Sequence, residues 1–214
     1  DGTLFDFQAT LGHCASSVLD QLCDGDQVLR ANLAQSVDYD DDAKTFAPSS
    51  IAIAGTPLEI ATALAQHLPD RTPISLLQDM NKLAATAPQI EVAPLSAFFA
   101  ALKNRGIKIG VMTNDSELPA KAHLADYLDQ LDMVVGSDSG FGAKPDPDPL
   151  LAIAQRFGVD PANCIMVGDS THDLHAGRDA GKRTIAVLTG LASEDEIAAF
   201  AANVLPELTN IKSW

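Results

Sequence analysis

The sequence predicts an α/β fold, with a doubly wound parallel sheet and an inserted α-helical cap domain. From Pro94 onward, helical and strand-like segments alternate with short connections, which is typical of a parallel sheet covered by helices on both faces. Residues 7–93 instead carry apolar residues at helical spacing, and no convincing strand run separates them. We therefore expect a core formed by residues 1–6 and 94–214 and a helical cap formed by residues 7–93.

The core segments are expected in a regular order of helix and strand. The predicted helices have apolar residues at helical spacing, several ending at a glycine, and the predicted strands are short β-rich runs. In chain order the segments are LSAFFAALKNRG, IKIGVMT, ELPAKAHLADYLDQL, DMVVG, PDPLLAIAQRFG, CIMVG, THDLHAGRDAG and RTIAVLT, the last being the expected final strand. Ligands bind at the carboxyl ends of such strands, and Thr113, Asn114 and Asp169 follow two of them.

The charge of the chain limits its partners. The formal net charge is -15 and the sequence pI is near 4.4. A surface of this charge repels nucleic acid and anionic membranes, because it cannot replace the counterions of phosphate groups. An anionic substrate would therefore have to be held locally, by a metal ion or by a few placed cations.

Cysteine usage and the absence of long apolar runs indicate a cytoplasmic protein. Cys14, Cys23 and Cys164 are odd in number and lack metal-ligand spacing, which favours small reduced thiols over a disulfide. No apolar run approaches the roughly 18 to 20 residues of a membrane span, and no signal peptide is visible. The acidic run VDYDDDAK lacks the spacing and glycine of a calcium loop, so it is interpreted as a solvated loop.

Four motifs decide the function that the sequence predicts. They are DGTLFD at residues 1–6, VMTND at 111–115, GAKPDP at 142–147 and VGDSTHDLHAG at 167–177. In this order the chain resembles the haloacid dehalogenase superfamily, which has a Rossmann-like core, in the branch with a helical cap after the first motif. The run from Lys144 to Gly181 is similar to phosphoglycolate phosphatase-like members.

The resemblance implies a magnesium-dependent phosphatase that works through an aspartyl-phosphate. Such a transfer needs a carboxylate nucleophile, a cation to screen it and an acid for the leaving alcohol. The resemblance places the nucleophile two residues before Asp1. Asp1 would protonate the leaving oxygen, then activate water, and its carbonyl would bind Mg²⁺. Dehalogenase relatives carry Tyr there and phosphonate-cleaving relatives Ala, so Asp1 favours phosphate esters; the alternative is a frayed polar terminus.

The other motifs supply the remaining candidate site residues. By resemblance, Thr113 gives a phosphate-binding hydroxyl, Asn114 adds a backbone N–H, and Lys144 neutralises the nucleophile and phosphate charges. A helix N-cap is the alternative for Thr113, and a solvated surface side chain is the alternative for Lys144. Asp169 is the expected Mg²⁺ ligand, and Asp173 either orients a metal-bound water or pairs Lys144. For these two acids, the alternative is an N-cap with a first-turn acid.

The resemblance also implies a central strand before Asp1, between the strands that end at Thr113 and Asp169. Losing roughly four buried apolar side chains would cost about 6 to 12 kcal/mol, comparable with the roughly 5 to 15 kcal/mol that stabilise a domain. We expect the natural protein to carry this strand. The 214 residues by themselves are expected to show no turnover and weak magnesium affinity.

The expected partner is a small phosphorylated metabolite that resembles phosphoglycolate. We expect no binding to nucleic acid or to a membrane. The expected oligomeric state is a monomer or a homodimer. Two alternatives stay open. One is a sugar-phosphate mutase of the same superfamily, which would return the phosphoryl group to a sugar. The other is a non-catalytic relative that keeps the fold for binding. Arg30, Lys44, Arg71 and Lys82 are candidate substrate contacts in the cap, although nothing in the sequence places them over the site.

Overall fold

The computed structural model describes residues 2–47 and 49–211, and it has the α/β architecture that the sequence predicts. The helices are α1 Phe7–Cys23, α2 Gln27–Ser36, α3 Ile51–Ala54, α4 Pro57–Ala65, α5 Pro73–Ala84, α6 Leu95–Asn104, α7 Glu117–His123, α8 Asp148–Phe157, α9 Thr171–Asp179 and α10 Glu194–Ile197. The strands are β1 Tyr39–Asp40, β2 Thr45–Phe46, β3 Gly110–Met112, β4 Met133–Val135, β5 Ile165–Gly168, β6 Arg183–Val187 and β7 Asn203–Leu205. In the described part of the chain, no helix is both long and apolar enough to span a bilayer.

The strands of the core are parallel and form two groups. β3 pairs with β4, and β5, β6 and β7 pair in that order. β3 and β5 both line one cavity of about 1060 Å³. The central strand expected before Asp1 would lie outside the described residues and stays a prediction.

Two strands lie where none was expected. The cap segment contains the antiparallel hairpin β1–β2, and β7 follows β6, so the expectation that RTIAVLT is the last strand is wrong. Neither has a β-rich run in the sequence: each hairpin strand has two residues, and β7 has only Val204 and Leu205 before Pro206. The hairpin depends on tertiary contacts: the rings of Tyr39 and Phe46 lie 4.7 Å apart, and the Tyr39 hydroxyl donates to the Gly12 carbonyl at 3.1 Å.

The hydrophobic clusters follow the expected division of the chain. One cluster lies entirely within residues 18–76 and includes the fully buried Leu33 and Leu76. The others consist of core residues, joined by Phe5 from the first motif. The chain enters and leaves the cap through adjacent backbone segments, with Phe5 opposite Glu91 in an antiparallel bridge. These contacts support the division at residues 6 and 93, which we keep as a proposal.

The packing of α9 positions part of the site, because this helix carries Asp173. Leu174 is fully buried against Ala186 of β6 and Ile197 of α10. We expect Leu174→Ala to lower the free energy of unfolding by about 2 to 5 kcal/mol, since it removes a buried side chain and leaves a cavity. Urea unfolding would measure the loss. The exposed Leu118 provides the control, and an equal loss for Leu118→Ala would contradict this account.

Candidate active site

The structure brings five of the six predicted site residues to one cavity. Thr113 and Asn114 follow β3, Asp169 follows β5, Lys144 lies in the loop before α8, and Asp173 lies in the first turn of α9. The carboxyl ends of β3 and β5 supply three of them, as expected for a parallel sheet. The sixth residue, Asp1, lies outside the described residues.

Lys144 and Asp173 form a buried ion pair. The Lys144 ammonium lies 2.6 Å from Asp173 Oδ1 and donates to the Met112 carbonyl at 3.2 Å. The side chains are only 13% and 6% exposed. Burial by itself would lower the pKa of Lys144, but the charge and hydrogen bond of Asp173, helped by Asp169, raise it. The lysine is therefore protonated at the carboxyl edge of the sheet.

Asn114 fixes the backbone on which Lys144 is mounted. Its side-chain oxygen accepts from the Lys144 N–H at 2.8 Å, and its amide nitrogen donates to the Lys144 carbonyl at 2.9 Å. The two bonds join the end of β3 to the loop that precedes α8. The phosphate contact predicted for the Asn114 backbone N–H stays a prediction, and the side chain positions the lysine.

The second carboxylate oxygen of Asp173 is committed within α9. It accepts from the Ser170 N–H at 3.1 Å and from the Ser170 hydroxyl at 2.7 Å, which completes a capping box. Burial favours the neutral acid, yet Lys144 and Ser170 outweigh it and lower the pKa of Asp173. Asp173 thus occupies the first-turn position that was the alternative, and it also pairs Lys144, the second of its two expected roles.

Asp169 has a different environment from Asp173. Its Oδ1 accepts from the Thr3 hydroxyl at 2.5 Å. Among the described residues, no lysine or arginine forms an ion pair with it. Burial, followed by the charge of Asp173, raises the pKa of Asp169. A Cβ atom on Gly190 would lie 1.9 Å from Asp169 Oδ2, so glycine there permits the close approach of backbone to carboxylate.

The chemistry of Asp169 suits a magnesium ion. Mg²⁺ prefers one or two carboxylates and keeps its other positions for water and substrate phosphate. Within residues 2–47 and 49–211, no three His, Cys, Asp or Glu side chains are grouped so as to hold a metal. A nearby cation would favour the ionised form of Asp169, which burial disfavours. Asp169 therefore fits as the described carboxylate ligand, whereas both oxygens of Asp173 have hydrogen-bond donors of their own.

Thr113 is not the cap of the following helix. The N-cap of α7 is Ser116, which removes that alternative for Thr113. The Thr113 hydroxyl donates to Asp115 Oδ2 at 3.1 Å and accepts from the Asp115 N–H at the same distance. This local turn holds the hydroxyl at the cavity wall.

Sequence reasoning missed several residues that shape the site. Thr3, Ser170 and Gly190 contact or border the two acids, and only Thr3 and Ser170 fall within the quoted motifs. Gly190 comes shortly after β6. The sequence signal that could have identified it is its position after the carboxyl end of a further parallel strand, in addition to β3 and β5. Of the two nearby histidines, His172 lines the cavity, while His175 packs against the Phe200 ring at 4.4 Å.

The acidic run of the cap is only partly solvated. Asp41 pairs with Arg30 at 2.5 Å and with Lys44 at 2.8 Å, which lowers the pKa of Asp41 well below its usual range. The interpretation as a solvated loop is wrong for this residue, because a cation 11 positions away along the chain folds back onto it.

Comparison with known proteins adds a family. A family model described as haloacid dehalogenase-like hydrolase matches residues 1–181. A phosphoglycolate phosphatase of Rhodospirillum rubrum is 35% identical over 120 residues, which are 55% of this chain and 50% of that protein. An N-acetylmuramic acid 6-phosphate phosphatase of Pseudomonas aeruginosa is 35% identical over 109 residues, which are 50% of this chain and 48% of that protein. The match spans about half the length of these curated relatives.

Solved structures share the fold over nearly the whole chain. A haloacid dehalogenase-like hydrolase from Bacteroides fragilis superposes with a TM-score of 0.72 and 22% identity, covering 99% of this chain and 96% of that one. A β-phosphoglucomutase from Clostridium difficile superposes with a TM-score of 0.67 and 16% identity, covering 99% of this chain and 90% of that one. At such identities the likeness shows the fold alone.

Proposed function

The chain belongs to the haloacid dehalogenase-like hydrolase family, and we propose that it hydrolyses a small phosphate monoester in a magnesium-dependent reaction through an aspartyl-phosphate intermediate. The observation that carries this proposal is the buried Lys144–Asp173 pair, which lines the same cavity as Asp169 and Thr113. A chain with a net charge of -15 holds a protonated lysine at the edge where parallel sheets bind ligands. Such a cation is what a phosphate ester needs there.

The charges at this edge support the proposed dependence on a metal ion. Asp115, Asp169 and Asp173 line the cavity together with Lys144, so the acids outnumber this cation. A phosphate dianion entering among them would be repelled unless another positive charge were present. In the proposed reaction Asp169 would hold Mg²⁺, which screens the phosphate charge when it is bound. Lys144 would contact the transferred phosphoryl group, and the Thr113 hydroxyl would exchange its hydrogen bond to Asp115 for one to a phosphate oxygen.

The proton-transfer steps belong to the first motif. We assign to Asp1 the protonation of the leaving alcohol and then the activation of water, and we place the nucleophilic carboxylate two residues before it. Thr3, in the same motif, donates to Asp169 and so ties this segment to the end of β5. The Thr189 hydroxyl donates to the Gly2 carbonyl at 2.5 Å, which anchors the segment from the other side. Both bonds support a fixed position for the residues next to Asp1.

The relatives suggest the kind of ester. Those named above are phosphatases of phosphoglycolate and of N-acetylmuramic acid 6-phosphate, so we propose a small phosphorylated metabolite as substrate. Phosphoglycolate is the first ester to test. The mutase alternative has support only from fold likeness to a β-phosphoglucomutase. We propose a cytoplasmic enzyme, monomeric or homodimeric.

The test is a phosphatase screen with the complete protein. Release of inorganic phosphate would be measured for a panel of small phosphate esters, with Mg²⁺ and with EDTA. We expect magnesium-dependent release from at least one ester. A hexose 1-phosphate that is isomerised without release of phosphate would favour the mutase. No reaction with any ester in the presence of Mg²⁺ would contradict the proposed function.

A further inference from the structure

We infer that the site selects phosphate esters whose leaving group is uncharged and apolar, and that it discriminates against esters carrying a second anionic group, phosphoglycolate included. This inference rests on the proposed function and concerns the part of the cavity that the cap contributes. We call that part the cap wall, and it is formed by Phe7, Leu11, Phe46, Ala52, Ile53 and Gly55.

The cap wall is built from three elements of the cap. α1 contributes Leu11, the hairpin contributes Phe46, and α3 contributes Ile53. The hairpin is held against α1, since a Cβ atom on Gly12 would lie only 2.7 Å from the Lys44 carbonyl oxygen. Two of the three elements are therefore packed on each other, and the residues that line the wall are apolar.

The cap wall lies on the same side as the reacting groups. α1 starts at Phe7, directly after the first motif, and Cys14 lies one turn beyond Leu11. Burial, and then the charge of Asp115, raise the pKa of Cys14 to about 11. Asp115 in turn holds the Thr113 hydroxyl. The start of α1 is tied to the carboxyl edge by the first motif, because Thr3, four residues before Phe7, donates to Asp169 at the end of β5.

The lysine and arginine side chains that the structure describes in the cap do not line the cavity. Each of the four is held by acids of the cap instead, so none of the expected substrate contacts is supported. These ion pairs are Arg30 with Asp20 and Asp41, Lys44 with Asp41, and Arg71 and Lys82 with Asp79. Among the side chains that the structure describes, the cap therefore offers no cation to a second anionic group.

Within the part of the core that the structure describes, no second lysine lies at this edge either. Lys108 and Lys182 also line the cavity, but they precede β3 and β6 and so lie at the amino edge. At about 3.3 Å per residue, Lys108 is roughly 16 Å from Thr113, and its ammonium donates to the Phe157 carbonyl. Of the lysines and arginines described, Lys144 serves the carboxyl edge, and the proposed function assigns it to the phosphate.

These observations set the preference. A carboxylate on the substrate, as a second anionic group besides the phosphate, would lose its water against the cap wall. It would gain no cation there and would face Asp115 and Asp169. Buried charge without a partner is strongly unfavourable. An apolar leaving group would instead gain from burial against the same carbon surface. The polar residues His172 and Ser170 lie on the core side of the cavity, beside Asp173.

The test compares two esters of equal length. The carbon chain of butyl phosphate ends in a methyl group, and that of 4-(phosphonooxy)butanoate ends in a carboxylate. With the complete protein and Mg²⁺, we expect kcat/KM for butyl phosphate to be higher by on the order of 100-fold, in line with selectivity in apolar pockets. Equal values, or a preference for the carboxylate ester, would overturn the inference.

A charge placed on the wall should reverse part of the preference. Ile53→Lys is expected to lower the ratio of the two kcat/KM values about tenfold or more, mainly through KM of the carboxylate ester. Val28→Lys adds the same charge on α2, at a side chain that is 73% exposed and outside the cavity, and should leave the ratio unchanged. If Ile53→Lys fails to fold, Ala52→Lys adds the charge without removing a large side chain. An unchanged ratio in a folded wall variant contradicts the inference.

The two proposals fail in different ways. If other esters release phosphate but butyl phosphate does not, the proposed function stands and the inference is overturned. If no ester releases phosphate, the proposed function is overturned, and the inference is judged by calorimetric binding of the same two esters. Tighter binding of butyl phosphate would then support an apolar site, and equal or weaker binding would overturn the inference too.

Discussion

Asp169→Asn is expected to lower magnesium-dependent kcat/KM by at least about 100-fold, because loss of a metal ligand forfeits several kcal/mol of charge stabilisation. The same change should leave the protein as stable as the wild type, or more stable, when metal is removed. Burial raises the pKa of Asp169, and no described lysine or arginine pairs with it, so its ionised form is unfavourable in the fold. Asparagine keeps an oxygen for the Thr3 hydroxyl and carries no charge.

Two measurements separate these effects. Phosphate release against Mg²⁺ concentration reports the loss of function, and thermal unfolding in EDTA reports stability. Asp148→Asn removes the charge of an exposed side chain in the first turn of α8, outside the cavity. It should change neither the magnesium-dependent activity nor the stability by much. A large loss of stability in Asp169→Asn would show that the carboxylate serves the fold, and unchanged activity would remove it from the proposed site.

Lys144→Met is expected to lower the free energy of unfolding by about 3 to 5 kcal/mol, since it leaves the buried Asp173 carboxylate without its cation. Activity should fall by at least about 100-fold as well, because the phosphate loses its fixed positive charge. Lys121→Met is the matched control. Lys121 pairs with Glu117 across one helical turn, is 49% exposed, and should contribute about 0 to 1 kcal/mol.

The pH dependence of the Lys144 effect follows from the pKa shifts. The pKa of Asp173 is lowered in the folded state. The stability that its paired, ionised carboxylate contributes is therefore fully present above about pH 3.9, the ordinary pKa of an aspartate. This stability is lost as the pH falls through the folded-state pKa. The stability gap between wild type and Lys144→Met should therefore narrow in acid. Urea unfolding at pH 7 and near pH 3 measures this gap, and a gap that widens in acid would contradict the assignment.

A double variant distinguishes stability from catalysis. Lys144→Met combined with Asp173→Asn removes both charges, and the amide oxygen can still accept from the Ser170 hydroxyl. We expect it to be more stable than Lys144→Met alone, because no uncompensated carboxylate remains. Activity should stay low. Recovery of activity together with stability would mean that Lys144 acts only through folding.

The sequence by itself predicted the elements whose signals are local. β3 and β5 were expected from short β-rich runs, and the helices α6, α8 and α9 from apolar residues at helical spacing. The second half of ELPAKAHLADYLDQL, expected as one helix, is instead a 3-10 helix at Ala125–Gln130 after α7. The hairpin and β7 lack such a run, since the hairpin strands have two residues each and β7 ends before Pro206.

The sequence also predicted that Thr113, Asn114 and Asp169 lie together, because parallel strands bring their carboxyl ends to one edge. Lys144 and Asp173 became site candidates only through the family resemblance. Only the tertiary structure decided what each side chain does there. Asp173 pairs Lys144 across 29 positions of chain, and Asn114 holds the Lys144 backbone across 30, distances over which residue spacing carries no information. The neutralised cations and apolar wall of the cap were likewise settled by packing, since a charged side chain can face a substrate or a neighbouring acid, and only the folded contacts distinguish the two.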